Sequence, residues 1–180
     1  VHFTKRYLDI QGRYREGHDL MERALAQFGA SGDVKDLPRD EQGQTIAKLI
    51  LYRALFLADM GKPDEIVPTL EACLEYFRGV GDKPQIMACL NALGIASRFL
   101  GLEDKGEGYF RSQLELAREL GNRHEEATAL NNISTALTTL GKNEESESVL
   151  RECLALRREM NDEAGISSTL INLAVALFNQ

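Results

Sequence analysis

The chain contains no tryptophan, three cysteines, three histidines and four prolines, and aromatic residues make up 7% of its 180 positions. Each scarcity removes a class of reading. Cys73, Cys89 and Cys153 are odd in number, far apart and form no CxxC, which argues against a disulfide framework or zinc site and for a reducing, cytoplasmic setting. His2, His18 and His124 share no metal-ligand spacing, so no metal is expected, and no cofactor. Basic residues are outnumbered, 21 against 28, and no Lys/Arg cluster forms, so no nucleic-acid partner is expected. The longest apolar run, 49–60 (LILYRALFLADM), is broken by Arg53. It falls short of the roughly 20 residues that cross a bilayer, and no apolar signal segment opens the chain, so no membrane partner is expected.

Catalytic motifs are equally scarce. GLEDKGEG (101–108) has the outline of a phosphate loop, but Glu107 stands where a lysine must meet phosphate, and the stretch joins two helices. With no carboxylate pair, triad, metal cluster or nucleotide loop, no enzymatic activity and no catalytic residue is expected.

What is present is periodic. Gly61, Gly101 and Gly141 are 40 apart, Gly81 and Gly121 fall midway, and Asn161 is next in line. Gly and Asn are the residues that tolerate the left-handed conformation ending a helix. The intervals predict helices of about 18 residues in pairs that repeat every 40. LNALGIASRFLG (90–101) aligns with LNNISTALTTLG (130–141), and LEYFRGVG (74–81) with LELARELG (114–121) and LALRREMN (154–161). Ala and Leu are abundant, as packed helices favour. Helices are expected near 13–29, 43–60, 63–80, 83–100, 103–120, 123–140, 143–160 and 163–179, with residues 1–11 as the tail of another. Helix starts carry expected caps at Asp82, Asn122 and Asn143. Pro68 should delay or kink its helix.

This array resembles tetratricopeptide repeats of the long kind. Leu90, Leu93, Gly94, Gly101, Gly106, Phe110 and Leu114 meet the consensus, as do Leu130, Ile133, Ser134, Gly141, Ser146, Leu150, Cys153 and Leu154. Gly12, Tyr14, Gly17, Met21, Ala24 and Leu25 match the turn and second helix of an earlier repeat, while Arg53, Ile66 and Gln113 depart from the pattern. The resemblance implies an all-α fold, a right-handed α-solenoid of stacked antiparallel helix pairs forming one domain over 1–180. Its parts would be a partial repeat at 1–29, a polar loop at 30–40, repeats at 43–80, 83–120 and 123–160, and a half repeat at 163–179. The spacing is similar to that of bacterial signalling regulators of the STAND-type NTPase class, which implies a segment of a longer chain.

In such arrays the first helix of each pair lines the concave side. Carried over by register, the implied binding residues are Lys48, Tyr52, Asn91, Ile95, Arg98, Thr128, Asn131, Asn132, Thr135 and Asn172, with Leu51 and Ile171 on the same faces. Amides offer donors and acceptors to a peptide backbone, Tyr52, Ile95 and Ile171 offer apolar contact, and Lys48 and Arg98 would select a carboxylate. The implied function is non-enzymatic binding of a protein or peptide segment. A structural spacer or self-assembly element, associating through the C-terminal end, is one alternative, and small-molecule effector sensing is another. Leu170, Leu173, Leu177 and Phe178 are expected to lie uncovered at that end.

Overall fold

A computed structural model of the chain describes residues 2–29, 34–59 and 63–180. Among these residues lie eight α-helices and no strand: α1 (His2–Gln27), α2 (Glu41–Asp59), α3 (Pro63–Val80), α4 (Lys83–Phe99), α5 (Glu103–Glu119), α6 (Arg123–Thr139), α7 (Asn143–Glu159) and α8 (Glu163–Phe178). The architecture is all-α, of helix pairs of the solenoid kind.

The turns explain the helix lengths. Gly101, Gly121 and Gly141 have φ of 73°, 63° and 74°, and Asn161 has φ of 56° in the same place. At each, two amides fold back on the helix just ended. Gly141 N donates to Thr138 O at 3.1 Å and Lys142 N to Leu137 O at 2.9 Å. The same pair recurs as Gly101 to Arg98 and Leu102 to Ser97, Gly121 to Arg118 and Asn122 to Ala117, and Asn161 to Arg158 and Asp162 to Arg157. This double bond satisfies carbonyls that a helix end leaves open, and it requires a left-handed residue at its centre. Gly61 lies outside the described residues.

Two compact units divide the chain, one at 1–92 and one at 93–180. In the first, α1 packs on α2 and α2 on α3. Gly17 lies so close to Phe56 that a Cβ there would stand 2.6 Å from the ring, and Arg53 Nη1 reaches Glu22 Oε1 at 2.8 Å. The arginine in an aliphatic slot is therefore answered by an acid on the preceding helix. Leu25, Ile50, Leu51, Ile66, Leu70 and Phe77 are each at most 2% exposed. Burial of that kind contributes about 1.5–3 kcal/mol per side chain. The connection before α2 is more than a polar loop. Val34 is buried, Tyr76 Oη donates to Pro38 O at 2.6 Å, and Asp40 Oδ1 caps α2 by accepting from Gly43 N at 2.8 Å.

Three expectations are corrected in this unit. α1 is one continuous helix with no turn at Gly12, because a single interior glycine costs only about 1 kcal/mol relative to alanine. α3 begins at Pro63 and runs through Pro68, so the second proline does not delay its start. Leu51, placed on the binding face by register, is fully buried.

In the second unit α5 packs on α6, α6 on α7 and α7 on α8. Its core joins Phe110, Leu114, Ala127, Leu130, Ile133, Leu137, Cys153 and Leu156, with Ile95 half-buried against it. A Cβ on Gly94 would lie 2.4 Å from the Phe110 ring, so the glycine is the hollow that the phenyl fills. One period later the hollow holds Ser134 and the knob is Leu150, both 0% exposed. Leu173 joins Leu150 and Ala176 in a further cluster, which corrects its expected exposure: it faces α7, whereas Leu170, Leu177 and Phe178 do not. Asn143 does not cap α7 either; Lys142 occupies that position, and Asn143 Nδ2 donates to Asn179 O at 2.9 Å.

Candidate functional site

Helix α6 carries four of the ten expected residues, Thr128, Asn131, Asn132 and Thr135. It starts at Asn122, whose side chain accepts from Glu125 N at 3.3 Å, and it buries Leu130, Ile133 and Leu137. Asn131, Asn132, Thr135 and Thr138 are left half-buried along another stripe. The threonines are not open donors. Thr128 Oγ1 donates to His124 O at 2.9 Å, Thr135 Oγ1 to Asn131 O at 2.9 Å, Thr138 Oγ1 to Ser134 O at 3.0 Å and Thr139 Oγ1 to Thr135 O at 3.0 Å. Bonding back to the previous turn is how a hydroxyl is accommodated inside a helix.

The asparagines behave differently. Asn172 Nδ2 on α8 donates to Asn131 Oδ1 on α6 at 3.0 Å, a link between residues 41 apart. That bond uses one proton of Asn172 and one lone pair of Asn131. An amide carries two donors and two acceptor sites, so Asn131 Nδ2 and Asn172 Oδ1 retain capacity for a ligand. Around them stand Ile171 and Val175, 65% and 47% exposed, and Ser168, also exposed. Asn132 makes an interaction of its own.

The two cations of the candidate set are already engaged. Arg98 Nε donates to Glu103 Oε2 at 3.2 Å, and Lys48 Nζ lies 3.0 Å from Asp82 Oδ2. A ligand carboxylate would have to displace an acid of this chain, which weakens the expected charge selection. Lys48, Tyr52 and Asn91 belong to the first unit, where Tyr52 is 44% exposed and Asn91 half-buried with an interaction of its own. The structure thus links Asn172, Asn131 and Thr135 within the second unit, where Ile95 packs against the core that α6 shares.

Charged residues that register did not assign form two networks. Glu107, buried at 9% exposure, takes Arg111 at 2.7 Å and Lys142 Nζ at 3.5 Å, and Arg111 continues to Glu145 at 2.6 Å. Glu126, also buried, takes Arg118 Nε at 3.1 Å and Arg123 Nη1 at 3.5 Å, and these arginines extend to Glu152 and Glu159. Gln113, the misfit in a small-residue slot, is fully buried and donates to Glu125 Oε2 at 2.7 Å. The acid expected to disqualify a phosphate loop is a structural anchor between α5 and the start of α7.

Cys73, Cys89 and Cys153 are all buried free thiols. Burial pushes Cys73 up to about 12, raises Cys89 further and raises Cys153 as well. They occupy core positions and offer no nucleophile at neutral pH. Among the described residues no group of three or more His, Cys, Asp and Glu is placed to hold a metal, and no helix is long and apolar enough to cross a membrane.

Residues 97–159 match the family model described as tetratricopeptide repeat. No curated protein matches the chain in sequence. Among solved structures the chain is similar to the crystal structure of BtubC (BKLC) from P. vanneervenii, with a TM-score of 0.79 and 18% identity over 95% of this chain and 68% of that one.

Proposed function

We propose that this chain, whose residues 97–159 match the tetratricopeptide-repeat family model, is a non-enzymatic scaffold or sensor module of a larger regulatory protein, holding a segment of another protein on the α6–α8 face. Repeats of this family mediate protein–protein interaction in general. The observation that carries the narrower reading is the Asn131–Asn172 link, 3.0 Å long, between two first helices of successive pairs. It fixes two amides side by side with a donor on one and an acceptor on the other. A peptide in extended or helical form presents N–H and C=O groups that such a pair can meet, each bond contributing about 1 kcal/mol net. Ile171 and Val175 add apolar contact beside it, about 25 cal/mol for each Å² covered. Since Arg98 holds a partner of its own, the site reads backbone and shape more than charge.

The test uses random peptides displayed on phage, selected on the immobilised chain and then measured in solution by fluorescence anisotropy. Peptides selected by the native chain should bind Asn131→Ala/Asn172→Ala about tenfold or more weakly, a loss of roughly one to two hydrogen bonds. Helicity by circular dichroism should stay unchanged. Equal affinity for the double variant sinks the assignment.

A further inference from the structure

Two of the three thiols share one junction between helices. Cys73 on α3 and Cys89 on α4 are 16 residues apart, fully buried and free, and both belong to the first unit. The repeat shows what that spacing means. Two periods later the same positions are Cys153 on α7 and Thr169 on α8, also 16 apart and fully buried. There Cys153 Sγ lies 3.6 Å from Thr169 Oγ1. Sγ and Oγ1 are each one bond from Cβ, so this pair of positions holds its first side-chain atoms in contact across two successive helices. On α3 and α4 both of those atoms are sulfur. Burial raises the Cys89 thiol most, and charge on Cys73 raises it further, as a near neighbour does. One period on, the positions hold Gln113 and Ala129, so the dithiol belongs to a single junction.

We propose that Cys73 and Cys89 form a dithiol site that closes to a disulfide, joining α3 to α4 and leaving Cys153 reduced. The co-reactant is a small disulfide such as oxidised glutathione. A Cys73 thiolate attacks one of its sulfurs, forming a mixed disulfide and releasing one thiol. The Cys89 thiolate then attacks the Cys73 sulfur and releases the second. Two cysteine thiols lose two electrons, the S–S bond of the oxidant is reduced, and both protons end on the released thiols. Burial shields the pair in the folded chain, so exchange takes place during folding or when α3 and α4 open locally. In a reducing setting the pair stays open. Once closed, the loop between α3 and α4 has less freedom to lose on folding, and the folded chain in turn favours the bond.

The full chain is unfolded in urea, refolded at pH 8 in mixtures of reduced and oxidised glutathione, quenched with acid and mapped by peptide mass spectrometry. One bond between Cys73 and Cys89 is expected, with Cys153 a free thiol. Titrated against the glutathione ratio, the equilibrium constant for that bond should be at least about tenfold higher in native buffer than in urea, because only the fold brings the two sulfurs together. Four results overturn the proposal. They are no bond at any ratio, glutathione adducts on Cys73 and Cys89 in its place, pairing of Cys153 with either at comparable yield, or a constant no higher in native buffer than in urea.

Discussion

Gly94 and Phe110 show how one position sets its partner's size. The ring is fully buried, and the glycine's missing Cβ is the space it uses. Gly94→Ala gains about 1 kcal/mol of helix propensity but forces a methyl against a ring carbon, and overpacking of that kind costs about 1–3 kcal/mol. With Phe110 enclosed on all sides the second effect wins, and urea unfolding should register a net loss of about 1–2 kcal/mol. Adding Phe110→Leu gives a hollow that carries a Cβ and a leucine knob, as at Ser134 and Leu150 of the next repeat, and should recover much of that loss. The two substitutions should couple favourably in a double-mutant cycle; additive losses would show that the hollow has no such role. The two positions, though not their contact, were legible in the sequence, because both lie on the same 40-residue grid as their counterparts. The Asn131–Asn172 bond was not. It joins residues 41 apart and therefore off the grid, and only side-chain rotamers bring them together.

At the scale of the helix, the caps are uneven. Asp162 holds the start of α8 by accepting from Gly165 N at 2.9 Å, whereas Leu102 caps α5 with no side-chain bond and is half exposed. Asp162→Ala should lose about 1 kcal/mol, and Leu102→Asn should gain a similar amount or somewhat less, both by thermal or urea unfolding. A gain is informative because it replaces an apolar surface residue without touching the core. The ends of α3 to α7 followed from the glycine spacing, since the left-handed residues Gly81, Gly101, Gly121, Gly141 and Asn161 each close a helix. The start of α1 did not, because an interior glycine in right-handed conformation leaves no mark that distinguishes it from a turn. The cap at Lys142 was hidden by the more suitable Asn143 beside it, which bonds to the carbonyl of Asn179 instead.

Across the whole molecule, the three thiols report on both units: Cys73 and Cys89 lie in the first and Cys153 in the second. None should react with a thiol reagent at pH 8 in the native state, and all three should react once urea unfolds the chain. Their burial also makes stability depend on pH. In the unfolded chain a thiol ionises near 9.0, while burial in the folded chain raises Cys73 to about 12. The unfolded state therefore sheds a proton first, so the contribution is full below pH 9.0 and is lost as pH rises toward the folded value. Unfolding midpoints measured from pH 8 to 11 should fall, and the fall should be shallower in Cys73→Ala; equal slopes would remove the thiol as the cause. The recurrent turn has a further consequence. Since Gly101 and Gly141, one repeat apart, close their helices with the same two backbone bonds, as do Gly121 and Asn161, each such pair marks seams at which one block can be joined to another without refitting the junction. Unequal crossing-over between such seams would add or delete whole blocks in frame, so the length of the array is a quantity that recombination, rather than point substitution, adjusts.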